Sequence, residues 1–264
     1  MTDDIRRRFH DLHAEGCFVL PNPWDSGSAR ILASLGFPAL ATTSSGHAAS
    51  LGRLDGNVTL DELADHARQL AAAVDVPLNV DAEFGFADRP EGLAATVDRL
   101  AASGAAGFSI EDYDPVARRV LPFDEATARV AAAVEANRRH GLVFTARAEN
   151  HIRGVDDLDD TIRRLEAYRD AGADVAYAPG LVDLDAIARV VTAVGIPVNV
   201  LARPDGPSVG ELAEAGVRRV STGGALAFAA YAELVRAASE LRDQGTSGYA
   251  GRIREGKAIR AALE

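Results

Sequence analysis

One pattern restricts the fold of this chain more than any other. A short apolar stretch, a loop and an amphipathic segment rich in Ala, Leu and Arg recur eight times along its 264 residues. The apolar stretches read as strands at Cys17 to Pro21, Pro38 to Thr42, Pro77 to Asp81, Gly107 to Glu111, Leu142 to Arg147, Ala173 to Ala178, Pro197 to Leu201 and Arg218 to Ser221. The segments between them read as helices centred on Ala29 to Leu35, Leu60 to Val74, Leu93 to Ala102, Phe123 to Arg139, Leu158 to Ala171, Leu184 to Val194, Val209 to Ala215 and Leu226 to Leu241. Several of these end at a glycine just before the next strand, as at Gly36, Gly104, Gly172, Gly195 and Gly216, which is a helix C-terminal signal. Strands apolar along their whole length belong to a parallel sheet covered by helices. Eight repeats in one chain close such a sheet into an α/β (β/α)8 TIM barrel, which takes roughly 250 residues. The barrel is expected over residues 1–244, led by a polar helix in residues 1–16. A glycine-rich break then leads to a helical tail, 245–264, expected to pack on a neighbouring subunit. An open doubly wound sheet is the structural alternative, but no Gly-x-Gly-x-x-Gly turn follows the first strand, so a dinucleotide site has no support.

Composition removes several functions. A formal net charge of −11 argues against a nucleic-acid or anionic-membrane surface. No run approaches the ~18 apolar residues of a membrane span, and Met1 to Arg7 lack a signal-peptide core, so a cytoplasmic protein is expected. The single cysteine, Cys17, sits in apolar surroundings and reads as a small core residue. The single lysine, Lys257, lies near the end of the chain and on no strand, which removes Schiff-base aldolase chemistry.

In barrels of this kind the chemistry sits at the C-terminal ends of the strands. The third strand ends in Asp81 and Glu83, the fourth in Glu111 and Asp112, the fifth in Arg147-Ala148-Glu149-Asn150. Asp81 and Glu83, spaced i, i+2, share a face, and neighbouring strands lie about 4.8 Å apart. Acids packed so closely call for a cation, and a hard divalent ion such as Mg2+ takes such oxygen ligands. Arg147 then offers a fork to an anionic substrate. The plainer readings are that Asp81 and Glu83 cap a helix or face solvent, and that Arg147 pairs with Glu83 or Glu111 in a structural network. After the second strand, Thr42 to Gly56 reads as a long loop of small residues whose backbone N–H groups either form a carboxylate nest or simply flex.

The order of these pieces resembles the isocitrate lyase/phosphoenolpyruvate mutase superfamily from about residue 16 to residue 240. The resemblance rests on Asn22-Pro23-Trp24-Asp25 with Ser28-Ala29-Arg30, Thr43-Ser44-Ser45-Gly46 through Leu51-Gly52 and Asp55-Gly56, and Asp81-Ala82-Glu83-Phe84-Gly85-Phe86. Glu111-Asp112, Ala146-Arg147, Gly172-Ala173-Asp174 and Pro197-Val198-Asn199-Val200 extend it. It implies an α/β barrel that binds Mg2+, with Mn2+ as the alternative, and acts on 2-oxo or 2-hydroxy carboxylates through an enolpyruvate-like intermediate. By position, Asp81 would touch the ion, with Glu83, Glu111 and Asp55 holding its waters. The backbone amides of Ser45 and Gly46 would bind the substrate carboxylate, with Thr43, Arg147 and Asn199 as further contacts, and Arg147 and Asp55 are the expected catalytic residues. A homo-oligomer, dimer or tetramer, is implied through the C-terminal helix.

The sequence also departs from the superfamily. The Lys-x-Cys-Gly-His loop of isocitrate and methylisocitrate lyases is replaced by Tyr113 to Pro122, which has no cysteine, lysine or histidine. The phosphonomutase lysine and asparagine are missing from it as well, and Thr43 replaces an aromatic residue. The enolate-stabilising core without that loop predicts a Mg2+-dependent carbon–carbon lyase or decarboxylase of an oxaloacetate-like acid, which needs little acid catalysis. The alternatives are P–C bond chemistry on phosphonopyruvate and a non-catalytic 2-oxo acid binder.

Overall fold

The computed structural model describes residues 2–88, 92–253 and 256–264. Its strands are β1 (Phe18–Leu20), β2 (Leu40–Ala41), β3 (Leu78–Asp81), β4 (Gly107–Glu111), β5 (Tyr113–Asp114), β6 (Arg119–Val120), β7 (Val143–Arg147), β8 (Val175–Tyr177), β9 (Val198–Leu201) and β10 (Arg219–Ser221). Eight of them form one parallel sheet in the order β1-β10-β9-β8-β7-β4-β3-β2. The two ends of that order meet where the Ala41 N–H donates to the Pro21 carbonyl (3.1 Å) and Asn22 Nδ2 to the Thr42 carbonyl (2.7 Å). The expected barrel is therefore the observed one. β5 and β6 pair antiparallel as a hairpin just beyond β4.

Helices α1 (Thr2–Asp11), α2 (Ser26–Ser34), α3 (Ser44–Ser50), α4 (Leu60–Ala73), α5 (Leu93–Ala102), α6 (Phe123–Asn137), α7 (Leu158–Ala171), α8 (Leu184–Val194), α9 (Val209–Glu214) and α10 (Ala225–Gln244) surround it, and α11 (Gly256–Leu263) ends the chain. Side-chain caps begin many of them: Asp25, Thr59, Asp157, Asp183 and Ser208 each accept the third helical N–H, which satisfies an otherwise orphaned donor. The core lies between sheet and helices, where Leu63, Leu70, Val97, Leu100, Leu165 and Ile187 meet the outward faces of the strands.

The leading helix is more than polar. Phe9 of α1 is fully buried against Phe18, Ala106, Val143 and Val175, so α1 plugs the end of the barrel opposite the site. The fit there is close: a Cβ on Gly107 would lie 2.7 Å from the Phe9 ring. At the other end of the chain α11 returns to α2, with Arg30 donating to the Leu263 carbonyl (3.2 Å). Residues 254 and 255 of the expected tail lie outside the described residues.

Candidate active site

The C-terminal mouth of the barrel holds a cavity of about 570 Å3. The end of β3 delivers Asp81 into it, and the turn that follows is unusual. Glu83 and Phe86 carry φ values of 48° and 53° without being glycines, a conformation that side chains rarely adopt and that clusters at functional sites. It turns the Glu83 carboxyl back into the barrel, where it is 8% exposed. The Thr42 hydroxyl accepts the Asp81 N–H (2.9 Å), and the Ser44 N–H reaches Asp81 Oδ2 (3.5 Å).

The pair at the end of β4 divides by the two-residue period of a strand. Glu111 faces the cavity. Asp112 faces the helical layer, accepting from Tyr168 Oη (2.6 Å), Arg164 Nη1 (3.1 Å) and the Glu149 N–H (2.8 Å). That buried cluster ties α7 to the mouth of the barrel and takes no part in the cavity.

Arg147, from β7, stands at the centre of the acids. Its Nη1 lies 2.9 Å from Asp81, and its Nη2 lies 3.2 Å from Glu111 and 2.9 Å from Glu149. Arg153 adds a second guanidinium, 3.6 Å from Glu111 and 3.4 Å from Glu149, and lies over the Tyr113 ring of the hairpin at 3.6 Å. Fully ionised, Asp81, Glu83, Glu111 and Glu149 would exceed the two arginines by two negative charges. The surplus shows in their protonation. Burial, then Asp81 and Asp55, pushes the Glu83 carboxyl up to about 8 despite Arg147. Burial and Glu149 likewise hold Glu111 well above the usual carboxylate range.

This donor set fits a hydrated hard cation. Every donor is a carboxylate oxygen, and a divalent ion that displaced the protons of Glu83 and Glu111 would meet a surplus of two negative charges. Among the described residues no three His, Cys, Asp or Glu side chains converge in ligand geometry. Mg2+ itself prefers one or two carboxylates and its own waters to a closed cage.

The stretch after β2, read as a loop, is in part the helix α3. Thr43 is its N-cap, accepting from the Gly46 N–H (3.3 Å) and touching Ser45 Oγ (3.2 Å). Ser45 faces Gly224, whose missing side chain leaves it room: a Cβ there would lie 2.5 Å from Ser45 Oγ. Thr43, Ser45 and Asp55 all border the cavity. Gly46 is held tightly, since a Cβ would come within 2.6 Å of Thr43 and 3.1 Å of Trp24. Asn199 is 1% exposed, and its amide is engaged inside the barrel: Nδ2 donates to Ser221 Oγ (2.9 Å), and Oδ1 accepts from Arg219 Nε (2.9 Å). Arg153, Tyr177, Ser221 and Arg219 border the cavity without having been picked out from the sequence. Tyr177 and Ser221 stand at the C-terminal ends of β8 and β10, where the rule that found Arg147 also applies, whereas Arg219 opens β10.

Comparison with known proteins identifies relatives of the whole barrel. A family model described as phosphoenolpyruvate phosphomutase matches residues 9–242. An oxaloacetate decarboxylase of Bradyrhizobium sp. (strain ORS 278) is 30% identical over 241 residues, covering 88% of this chain and 83% of its own. The crystal structure of a candidate lyase/mutase from Burkholderia cenocepacia J2315 superposes with a TM-score of 0.95 at 46% identity, over 99% of this chain and 97% of the other. Oxaloacetate acetylhydrolase in complex with its product oxalate does so with a TM-score of 0.87 at 29% identity, over 97% and 93%.

Proposed function

Since this chain belongs to the phosphoenolpyruvate phosphomutase family, within the isocitrate lyase/phosphoenolpyruvate mutase superfamily of enzymes, we propose that it is a Mg2+-dependent carbon–carbon lyase, with Mn2+ as an alternative metal, that decarboxylates a small 2-oxo dicarboxylate of the oxaloacetate type. The observation that carries this reading is the corner where Asp81, Glu83, Glu111 and Glu149 surround Arg147, with Glu83 and Glu111 held above the usual carboxylate range for want of a further cation. The relatives that act on oxaloacetate support the choice of substrate.

Asp81 would hold the ion directly, with Glu83, Glu111 and Asp55 anchoring its waters. When bound, Mg2+ supplies Lewis-acid polarisation of the carboxylate and carbonyl oxygens of a 2-oxo acid. Arg147 orients the substrate from one side, exchanging part of its contact with Asp81 and Glu111 for a substrate oxygen. The amide of Ser45, at the start of α3, would receive its carboxylate from the other, and the Gly46 amide would join it only by giving up its bond to the Thr43 hydroxyl. Donors held close to their places before substrate arrives are effective as negative charge develops on the enolate oxygen.

The deciding experiment is a panel of 2-oxo and 2-hydroxy acids assayed for CO2, pyruvate and phosphate, with Mg2+ and with EDTA. CO2 and pyruvate from oxaloacetate, lost in EDTA, is the expected result. Phosphate from phosphonopyruvate would move the activity to P–C bond chemistry, and Mg2+-dependent thermal stabilisation by oxalate with no product would mark a binding protein.

The same reading includes an oligomer. α10 buries only Ala227 along its twenty residues, while Phe228, Leu234, Val235 and Leu241 are exposed, as are Ile253, Ile259 and Leu263 in the tail. Apolar surface of this extent on one side of a barrel suits a second copy of the chain. Sedimentation is expected to give at least twice the 27.7 kDa chain mass; a monomer at micromolar concentration would remove this part of the proposal.

A further inference from the structure

Decarboxylation leaves an electron pair on carbon, and that carbon must collect a proton before pyruvate can leave. The segment that carries a proton donor in related lyases is here the β5–β6 hairpin, which has no cysteine, lysine or histidine. We propose that Tyr177, at the end of β8, donates this proton, and that Arg219, Asn199 and Ser221 are positioning residues whose donors are aimed in series at its phenolic oxygen.

The series begins at an unusual group. Arg219 is 2% exposed, inside the barrel, and among the described residues no carboxylate pairs with it. Its three partners are neutral: Nε donates to Asn199 Oδ1 (2.9 Å), Nη2 to Thr145 Oγ1 (2.8 Å) and Nη1 to His13 Nε2 (3.2 Å). His13 Nδ1 meets the Phe9 carbonyl at 2.8 Å, so the proton of the ring sits on Nδ1 and Nε2 is the acceptor. A buried cation without a counter-ion is costly, and burial draws the Arg219 guanidinium down to about 9.

From Arg219 the hydrogen bonds run in one direction. A guanidinium can only donate, which fixes the Asn199 amide with Oδ1 toward Arg219 and Nδ2 toward Ser221. Asn199 Nδ2 donates to Ser221 Oγ (2.9 Å). Ser221 Oγ, having accepted, has its own proton to turn toward the phenol of Tyr177, which is paired with Asn199 on the neighbouring strand and whose ionisation the Ser221 hydroxyl eases. The phenol therefore accepts from behind and keeps its O–H free for the cavity that it borders.

The charges around the phenol suit a donor. Burial keeps it protonated, helped by Glu149 and Asp81, while Arg147 and the Ser221 hydrogen bond ease the loss of its proton. The Arg147 guanidinium lies 5.3 Å from the ring centroid. When the proton leaves, the phenolate becomes, through two hydrogen-bonded side chains, the counter-charge that Arg219 lacks. In the balanced step, the bond from the substrate methylene carbon to its carboxylate breaks and CO2 departs. The electron pair, held as an enolate, then forms a C–H bond with the Tyr177 proton. The phenolate is reprotonated by water.

This inference rests on the decarboxylase reading but is tested by a separate readout. Entry of deuterium from D2O into the methyl group of pyruvate, with Mg2+, is the proton transfer run backwards. Tyr177→Phe is expected to slow that exchange by about 10²-fold or more while oxalate binding is unchanged. In metal-free protein, Ser221→Ala is expected to move the ultraviolet titration of Tyr177 upward by about one pH unit, because a donor to the phenolate is gone. Arg219→Met should do the same, with Ser221→Ala as the milder variant if it folds poorly. Exchange at the wild-type rate in Tyr177→Phe, or no exchange in the wild type, overturns the proposal, as does a Tyr177 titration unmoved by Ser221→Ala. Exchange by a wild-type protein that releases no CO2 from oxaloacetate would sink the decarboxylase reading and leave the donor standing.

Discussion

Asp81→Ala is expected to lower metal-dependent turnover by at least about 10³-fold, whereas Arg147→Ala is expected to lower it by about 10²–10³-fold and, in addition, to make the fold depend on Mg2+. The difference follows from where the two stand. Asp81 is one acid among several, and its removal lowers the negative surplus while taking away the anchor for an ion. Arg147 lies within 3.2 Å of Asp81, Glu111 and Glu149, and its removal strands three largely buried carboxylates with only Arg153 nearby. Breaking a buried ion pair by deleting one partner costs about 3–5 kcal/mol. A divalent ion in the same corner restores part of that, about 2.7 kcal/mol at a hundred times its dissociation constant. Denaturant titrations of Arg147→Ala with and without Mg2+ read the first effect, and steady-state kinetics the second. A variant destabilised to the same degree with and without Mg2+ would show a purely structural ion network, and unimpaired kinetics would place the substrate elsewhere.

The strands were legible because they are buried on both faces and bounded by glycine and proline. β4 matches its sequence reading end to end, and β7 differs from its own by one residue. Two elements were not legible, nor was the burial of a third, each for a local reason. α3 is built from Ser44-Ser45-Gly46-His47-Ala48-Ala49-Ser50, which shows no apolar periodicity; its cap at Thr43 and the burial of His47 and Ala48 hold it helical. The hairpin consists of two-residue strands, too short to show alternation, and it turns at Arg118 with a φ of 52°. The leading helix reads as polar because only Phe9 and Leu12, with Ile5, face the barrel.

The site was legible to the extent that its residues sit at strand ends. That rule found Asp81, Glu83, Glu111 and Arg147, and the structure brings these four together. It could not tell Glu111 from Asp112, because the split depends on which residue of an adjacent pair faces inward. Glu149, seen at the same strand end, became part of the corner only once its contact with Arg147 was visible. Arg153 comes from a turn of 3-10 helix four residues beyond Glu149, and no strand pattern points to it. Arg219 reads only as part of the strand Arg218 to Ser221, and the closed barrel shows that it is the one of the two arginines that is buried inside.

Two of the buried histidines give the fold a steep acid limb. His13 and His66 are each held down to about 3, chiefly by burial, against an ordinary value of 6.5. For His13 the next cause is Arg219, since a proton on Nε2 would set two cations face to face. For His66 it is His47, stacked on it at 3.7 Å, and among the described residues the His66 Nε2 and both His47 ring nitrogens have no hydrogen-bond partner. As the pH falls below 6.5 the unfolded chain takes up protons that the folded chain refuses, so stability is lost in the acid direction. Between about pH 7 and about pH 5 the loss is about 2 kcal/mol per histidine, about 4 kcal/mol for the two. Glu83, whose folded value is raised, contributes with the opposite sign, favouring the folded state below its value of about 8 and losing that contribution as the pH rises. Urea denaturation of His66→Leu separates the two trends, because it removes one histidine and no carboxyl. About 2 kcal/mol less destabilisation between the two pH values is expected for it than for the wild type, and the same slope in both proteins would mean that His66 accepts its proton without opening the contact between α3 and α4.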